Sequence, residues 1–263
     1  SVVLIGTIYP IFLEVLSSQK ISVGPPFYHK LIIPFLIPFL IAMAIGPKLK
    51  WIKSNIVDKF YLVLFFAISI VLSFLIVKKF NTNLLINTIL VSSALYLFFI
   101  TLRDFFIRKY SNISQNIAHF GFSLLILSIL LNNLFSSEII TNLKVGETFT
   151  SSKTKIVFKS INQKQEKNYK SIIANFSIEN INEKIEDLSP ELRIYNQPNI
   201  VTSEADIKTT LLSDKFIVIN IVQNQDYFNV RYQVKPFMLW IWISVIVISF
   251  GGLLSFFKRE HEK

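Results

Sequence analysis

IAHFGFSLLILSILLNNLF, residues 117–135, holds one ionisable side chain, His119, in nineteen positions. A helix rises ~1.5 Å per residue, so about 20 apolar residues cross the roughly 30 Å of bilayer hydrocarbon. This stretch is long enough. At Ser136 the character changes abruptly, and 136–236 is polar and rich in Asn and Lys. Working outward from that boundary, four more runs are long enough to span: 31–47, 60–77, 84–102 and 237–257. A sixth, 2–13, is apolar but short, and it lacks the basic n-region of a signal peptide. It reads as the end of a helix that starts upstream of Ser1. The expected fold is therefore a polytopic α-helical membrane protein with about five full spans and one truncated span. A small β-rich extracytoplasmic domain sits between the last two spans. The expected domains are a helical region at 1–135, the β-rich domain at 136–236, and a last span with its tail at 237–263.

Composition agrees. Of 263 residues, 52% are hydrophobic and 17% charged, and 25 are Phe; mean hydropathy is +0.50. A soluble domain is closer to a quarter charged. With no cysteine, disulfides, thiol redox chemistry and Cys-ligated metals within the chain are excluded. The net charge of +10 would suit nucleic acid, so its distribution decides. Ten Lys/Arg follow the spans on one side: Lys48, Lys50, Lys53, Lys59, Arg103, Arg108, Lys109, Lys258, Arg259 and Lys263. Four lie on the other: Lys20, Lys30, Lys78 and Lys79. The positive-inside rule puts the richer side, with the C-terminus, in the cytoplasm. Within 136–236, thirteen Lys/Arg face twelve Asp/Glu. The excess charge orients helices, no dense basic patch exists, and no nucleic-acid partner is expected.

Between the last two spans, 154–161 alternates through Ile156, Phe158 and Ser160, and 171–178 is Ile-rich with Phe176. Residues 215–222 (KFIVINIV) and 227–234 (YFNVRYQV) also read as strands. Turn signals stand at 143–146 and 196–199. About a hundred residues suffice for a β domain with its own core.

Chemistry-bearing motifs are scarce. Seven glycines form no phosphate loop, and neither a nucleophile elbow nor HExxH occurs. The spans as drawn contain no acidic residue, which argues against an ion-coupled transporter. His119 stands out. Gln115, Asn116, Phe122, Ser123 and Ile126 share its helix face, at spacings of three, four and seven. Gly121 removes a side chain nearby and is expected to admit a flat group. An imidazole at membrane depth needs a partner: a metal or relayed proton, a neighbouring carbonyl, or the interface by snorkelling. The residues leave these open. One histidine makes only half of a bis-His iron site. His29, beside the stiff Gly24-Pro25-Pro26 turn, reads as a surface residue, and His261 as part of a solvated tail, KREHEK. Pro34 and Pro38 read as helix punctuation. Trp51, Trp240, Trp242 and Tyr232 read as interfacial anchors, and Gly251-Gly252 as a close helix crossing.

Six blocks, in order, carry a resemblance: GTIYPIFLE (6–14), ISVGPPFY (21–28), IGPKLKW (45–51), AHFGFSLLILSI (118–129), PELRIYNQPNIVTSEADI (190–207) and VRYQVKPFMLWIWISVIVISFGGLL (230–254). Together they resemble the C-terminal part of the CcmF family, cytochrome c-type biogenesis haem lyase subunits of the haem-handling superfamily. The nitrite-reductase-associated NrfE-type paralogues share the likeness.

The resemblance implies a haem lyase component. Such proteins take substrate haem from a CcmE-type haem chaperone. With apocytochrome-binding partners of the CcmH and CcmI type, they attach it to the CXXCH thiols of apocytochrome c. They also hold haem b between two membrane histidines, with quinol as the proposed electron donor. His119 matches the second ligand, in a Gly-His-(Leu/Phe)-Gly pattern whose first glycine is here Ala118, a change expected to leave that face open. Gly121 matches. Asn116 and Ser123 fall on the same region of the implied haem wall.

The Trp-rich motif, the first membrane ligand and both periplasmic histidines of the family belong upstream of Ser1, so an upstream CcmF segment is an implied partner. His29 stands where relatives usually carry Asn. The implied location is the bacterial inner (plasma) membrane with 136–236 periplasmic, or the mitochondrial inner membrane in an organelle. Two other readings stand beside this one: a scaffold that docks partners of the maturation complex without catalytic residues of its own, and a transporter subunit, which needs a charged polar pathway.

Overall fold

The structure is a computed structural model that describes residues 2–17, 25–49, 59–80, 83–107, 113–181, 184–222 and 226–261. Among the described residues there are six helices: α1 (Val2–Ser17), α2 (Pro25–Ile45), α3 (Lys59–Val77), α4 (Leu84–Ile107), α5 (Ile113–Phe135) and α6 (Met238–His261). A single 3₁₀ turn, Gly46–Lys48, extends α2. Five of the helices, α2 to α6, are long and apolar enough to cross a membrane. The chain divides into two compact units, 1–130 with 243–263, and 131–242.

In the helical unit, α2 starts at Pro25, a residue whose missing N–H costs nothing in a first turn. Pro34 and Pro38 lie inside the same helix. Helix α3 buries only Ser69, Ser73 and Val77. The four-residue spacing makes a narrow stripe of small side chains, and each serine donates to its own helix: Ser69 Oγ to Phe65 O at 2.7 Å, Ser73 Oγ to Ile70 O at 2.9 Å. The rest of the helix, from Phe60 to Leu75, leaves large apolar side chains exposed, which suits a hydrocarbon solvent. Helix α4 is the buried one. Its Ala94, Tyr96, Leu97 and Ile100 pack on Leu40 and Ala44 of α2, with Phe65, Phe122 and Ile126 closing the cluster.

Helix α4 runs five residues past 102, where the expected span stopped, because Phe105 to Ile107 continue the apolar pattern beyond Arg103 and Asp104. An acidic residue therefore does lie inside a spanning helix. That corrects the expectation that the spans carry none.

The other unit is a β-sandwich. One sheet has the order β1 (Ser137–Leu143), β10 (Phe228–Pro236), β9 (Ser213–Ile221), β8 (Asp206–Thr209). The second has β2 (Thr148–Thr150), β3 (Thr154–Gln165), β4 (Tyr169–Asn180), β6 (Glu191–Asn196), β7 (Asn199–Glu204), with β5 (Glu186–Leu188) pairing β4. The four strands expected from alternation are β3, β4, β9 and β10. Their inward residues form the core: Ile156 and Phe158, Ala174, Phe176 and Ile178, Ile217 and Ile219, Val230 and Tyr232. Phe158 and Phe176, paired across β3 and β4, stack with centroids 4.4 Å apart. A β-bulge between Phe158 and Ser160 shifts the alternation, so Ile161 rather than Ser160 packs against the core. The signalled turns are both present. Gly146 takes φ +88°, a left-handed backbone that a side chain resists, and Asn196 pairs with Asn199 across the β6–β7 hairpin.

Tyr232 corrects a second expectation. It is a core residue, 2% exposed, whose hydroxyl accepts from Asn180 Nδ2 at 3.1 Å; the alternation of β10, not a membrane interface, sets its place. Trp240 donates its indole N–H to Leu211 O at 2.9 Å, and Trp242 is exposed. Trp51 lies outside the described residues, as do Lys20, Lys50, Lys53, Arg108, Lys109 and Lys263 of the charge distribution.

Candidate functional site

Asn116, His119 and Ser123 follow one another on α5 at spacings of three and four, so they stack on one face. Two are spent on α4. Asn116 Nδ2 donates to the backbone oxygen of Asp104 at 3.1 Å. Ser123 Oγ sits 2.7 Å from Thr101 Oγ1, with Phe120 O at 2.8 Å as a further acceptor. Thr101 is itself held to Leu97 O and Phe98 O. These contacts fix the rotation of α5 above and below His119. The shared-face expectation holds for Asn116, Ser123, Phe122 and Ile126, whereas Gln115 is exposed.

His119 is partly buried between them. Among the described residues its imidazole has no hydrogen-bond partner. It lines a small cavity with Met43, Ala44, Pro47, Ile100, Thr101, Asp104 and Asn116. The cavity measures about 10 Å³, room for one water and far too little for a porphyrin. A large planar group would have to meet the ring outside this space.

The cavity wall holds a charge pair. Lys48, delivered by the 3₁₀ turn after α2, is 7% exposed and donates Nζ to Asp104 Oδ2. The other carboxylate oxygen, Oδ1, is buried with no hydrogen-bond partner among the described residues; Arg103 Nη1 lies 3.9 Å from it. Leaving a buried acceptor unmet costs about 1–3 kcal/mol. Neither Lys48 nor Asp104 was singled out from the sequence. The usable signal was Leu97, Thr101 and Asp104 at spacings of four and three, which extends one helix face past 102.

Gly121 is corrected. A Cβ there would lie 2.9 Å from Ile248 N and 2.9 Å from Ile248 Cγ1, so the gap left by the glycine is filled by α6 and admits no flat group. Gly121 sits two residues, or about 200°, from His119 on the helix, on the opposite face. Ala118 is corrected too: its face is closed against Gly251, as a close crossing requires, while Gly252 has open space around it. Ser123 is a tie between α4 and α5 instead of an open wall. His29 lies in α2 and His261 ends α6, and their side chains are outside the described residues. No cluster of three or more His, Asp or Glu able to hold a metal occurs among the described residues. Among the described residues, what the helical unit offers iron is one imidazole, that of His119.

Residues 134–236 match the CcmF C-terminal beta-sandwich family. Over 275 residues the chain is 26% identical to the cytochrome c-type biogenesis protein CcmF of Pseudomonas fluorescens, covering 99% of the chain and 42% of that protein. It is 24% identical to CcmF of Escherichia coli K12 over 271 residues, 100% of the chain and 42% of the relative. NrfE of Haemophilus influenzae is 24% identical, over 98% and 42%. The chain thus spans about two-fifths of the length of these relatives. A solved structure titled cytochrome c heme lyase CcmF shares the fold, with TM-score 0.71 and 18% identity over 96% of this chain and 42% of that one. The sandwich match covers residues 134–236 and the relatives align along the whole chain, so this chain is similar to the C-terminal part of CcmF-type proteins.

Proposed function

We propose that this chain is a component of a cytochrome c haem lyase, in which His119 gives one axial ligand to a membrane haem b. The carrying observation is the imidazole itself. It lies in a membrane-spanning helix without a hydrogen-bond partner among the described residues, while its face neighbours Asn116 and Ser123 are both engaged. An unpaired imidazole at such depth is unfavourable, and metal ligation removes the cost. The donor set fits half of a bis-His site, the second ligand coming from the part of CcmF-type proteins that this chain does not span.

Bound haem would supply a one-electron carrier. The chain's own residues orient the imidazole that would hold it: Asn116 and Ser123 lock α5 in rotation, and Gly121 and Gly251 seat α6 against the other face of α5. Substrate haem then comes from a CcmE-type chaperone and goes to the CXXCH thiols of apocytochrome c presented by CcmH/CcmI-type partners, with quinol as electron source. In this reading the β-sandwich is periplasmic, the C-terminus cytoplasmic, and the spans lie in the bacterial inner membrane.

The test is His119→Ala in the chain co-expressed with the remainder of the assembly. Loss of the b-type absorbance together with cytochrome c maturation is expected; an unchanged spectrum would remove the assignment. A scaffold role is favoured for one part: residues 131–242 form a compact unit with a separate core. Deleting 140–230 should abolish partner pull-down and leave haem b in place.

A further inference from the structure

We infer that Asp104 is the positioning residue for His119: its second carboxylate oxygen accepts, through one water in the shared cavity, the proton on the imidazole nitrogen that would not hold iron. This rests on the ligand role proposed for His119. Three observations lead to it. Asp104 is 8% exposed, yet Oδ1 has no hydrogen-bond partner, so the site contains an acceptor in need of a donor. His119 lines the same cavity, and a neutral imidazole carries one N–H, for which no acceptor is seen among the described residues. The cavity between them holds one water's volume, and Thr101 and Asn116 complete its polar lining.

The surrounding structure holds the carboxylate for this task. Lys48 takes Oδ2, which fixes the other oxygen in direction. Asn116, one turn before His119, grips the backbone of Asp104 itself, so carboxylate and imidazole are placed by one connected set of bonds across α4 and α5. A histidine that ligates metal commonly passes its second N–H to a carboxylate, which fixes the tautomer and raises the donor strength of the ligating nitrogen. In a haem site, greater donor strength favours ferric iron and lowers the reduction potential.

Three variants in the complete, haem-loaded assembly test this. Asp104→Asn alone removes the charge that Lys48 faces and so confounds charge with hydrogen bonding. The decisive variant is therefore Lys48→Gln with Asp104→Asn, which removes both charges and keeps the shapes. The reduction equilibrium of haem b is expected to move about tenfold toward ferrous, a rise of ~59 mV for one electron, with altered g-values in the ferric electron paramagnetic resonance spectrum. A readout without haem is solid-state nitrogen NMR of the histidine-labelled, haem-free assembly, with the His119 signal assigned by its loss in His119→Ala. One tautomer is expected in the parent and a mixture in the double variant.

An unchanged potential and an unchanged tautomer in the folded double variant would overturn the inference while leaving His119 as ligand. Haem b retained in His119→Ala would instead overturn the ligand role. Should the double variant not fold, Lys48→Arg with Asp104→Glu keeps the pair while displacing the carboxylate by one methylene. It is expected to shift the potential in the same direction by a smaller factor, and no shift there overturns the inference as well.

Discussion

Gly251 of α6 meets Ala118 of α5 so closely that a Cβ on the glycine would stand 2.7 Å from the Ala118 amide nitrogen. Backbone, which cannot swing aside, is the obstacle. The contact falls one residue before His119, so the α5–α6 crossing helps set the rotation at which the imidazole is presented.

Gly251→Leu is therefore expected to force the helices apart at a cost of at least about 1–3 kcal/mol. Gly252→Leu, with nothing within 4 Å of its added Cβ, should stay within about 0.5 kcal/mol of the parent. Denaturant unfolding of the two purified variants in detergent makes the comparison, and equal stabilities would show that the crossing is loose.

The buried pair of Lys48 and Asp104 predicts strong non-additivity. Removing one partner, as in Lys48→Met, strands a buried charge and should cost about 3–5 kcal/mol. Removing both in Lys48→Met/Asp104→Leu should cost much less than the sum of the singles. A double-mutant cycle on unfolding free energies reads the coupling, and simple additivity would mean the two groups do not interact.

Phe176 is fully buried and stacked on Phe158 in the sandwich core. Phe176→Ala should destabilise that unit by about 3–5 kcal/mol. Limited proteolysis of the full chain is expected to cut within 137–236 much faster, with the spanning helices still protected.

Glu138, on β1 outside the spans, accepts hydrogen bonds from Gln233 Nε2, at 2.5 Å, and from Arg231 Nε. These bonds hold its carboxyl below the usual carboxylate range, Gln233 contributing most. A depressed carboxylate stabilises the fold fully above its unfolded-state pKa, and that contribution is lost as pH falls through the lower, folded value. The β1–β10 edge should loosen in acid below the ordinary carboxylate range. Glu138→Gln should flatten this acid limb of the unfolding midpoint while leaving neutral pH little changed.

Topology can be read cleanly because the chain has no native cysteine. Ser151→Cys, in the sandwich, and Glu260→Cys, at the end of α6, should label from opposite faces of sealed membrane vesicles. Labelling of both from one face would contradict the proposed periplasmic sandwich and cytoplasmic C-terminus.

The five spanning helices, the polar insert and four of its strands were legible in advance, because each depends on local patterning. Apolar runs of bilayer length and two-residue alternation are properties of short segments. The remaining strands, β1, β2 and β5 to β8, are short or mixed in character and become strands through pairing, β1 with β10, β2 with β3, β5 and β6 with β4, β7 with β6, and β8 with β9. Among the site residues, His119 was visible as a lone imidazole in a span. Its setting was not. Gly121 looked like space beside the histidine, whereas helix geometry turns it to the other face and α6 fills it.

By itself the sequence determined which segments are apolar and long enough to span a bilayer, and that a polar, strand-forming stretch separates the last two, since solvent transfer acts residue by residue. Only the tertiary structure decided that Lys48, Asp104, Asn116 and Thr101 converge on His119. They come from three elements whose angular positions are fixed by packing, and 56 positions of chain separate Lys48 from Asp104, a distance across which no local pattern carries information.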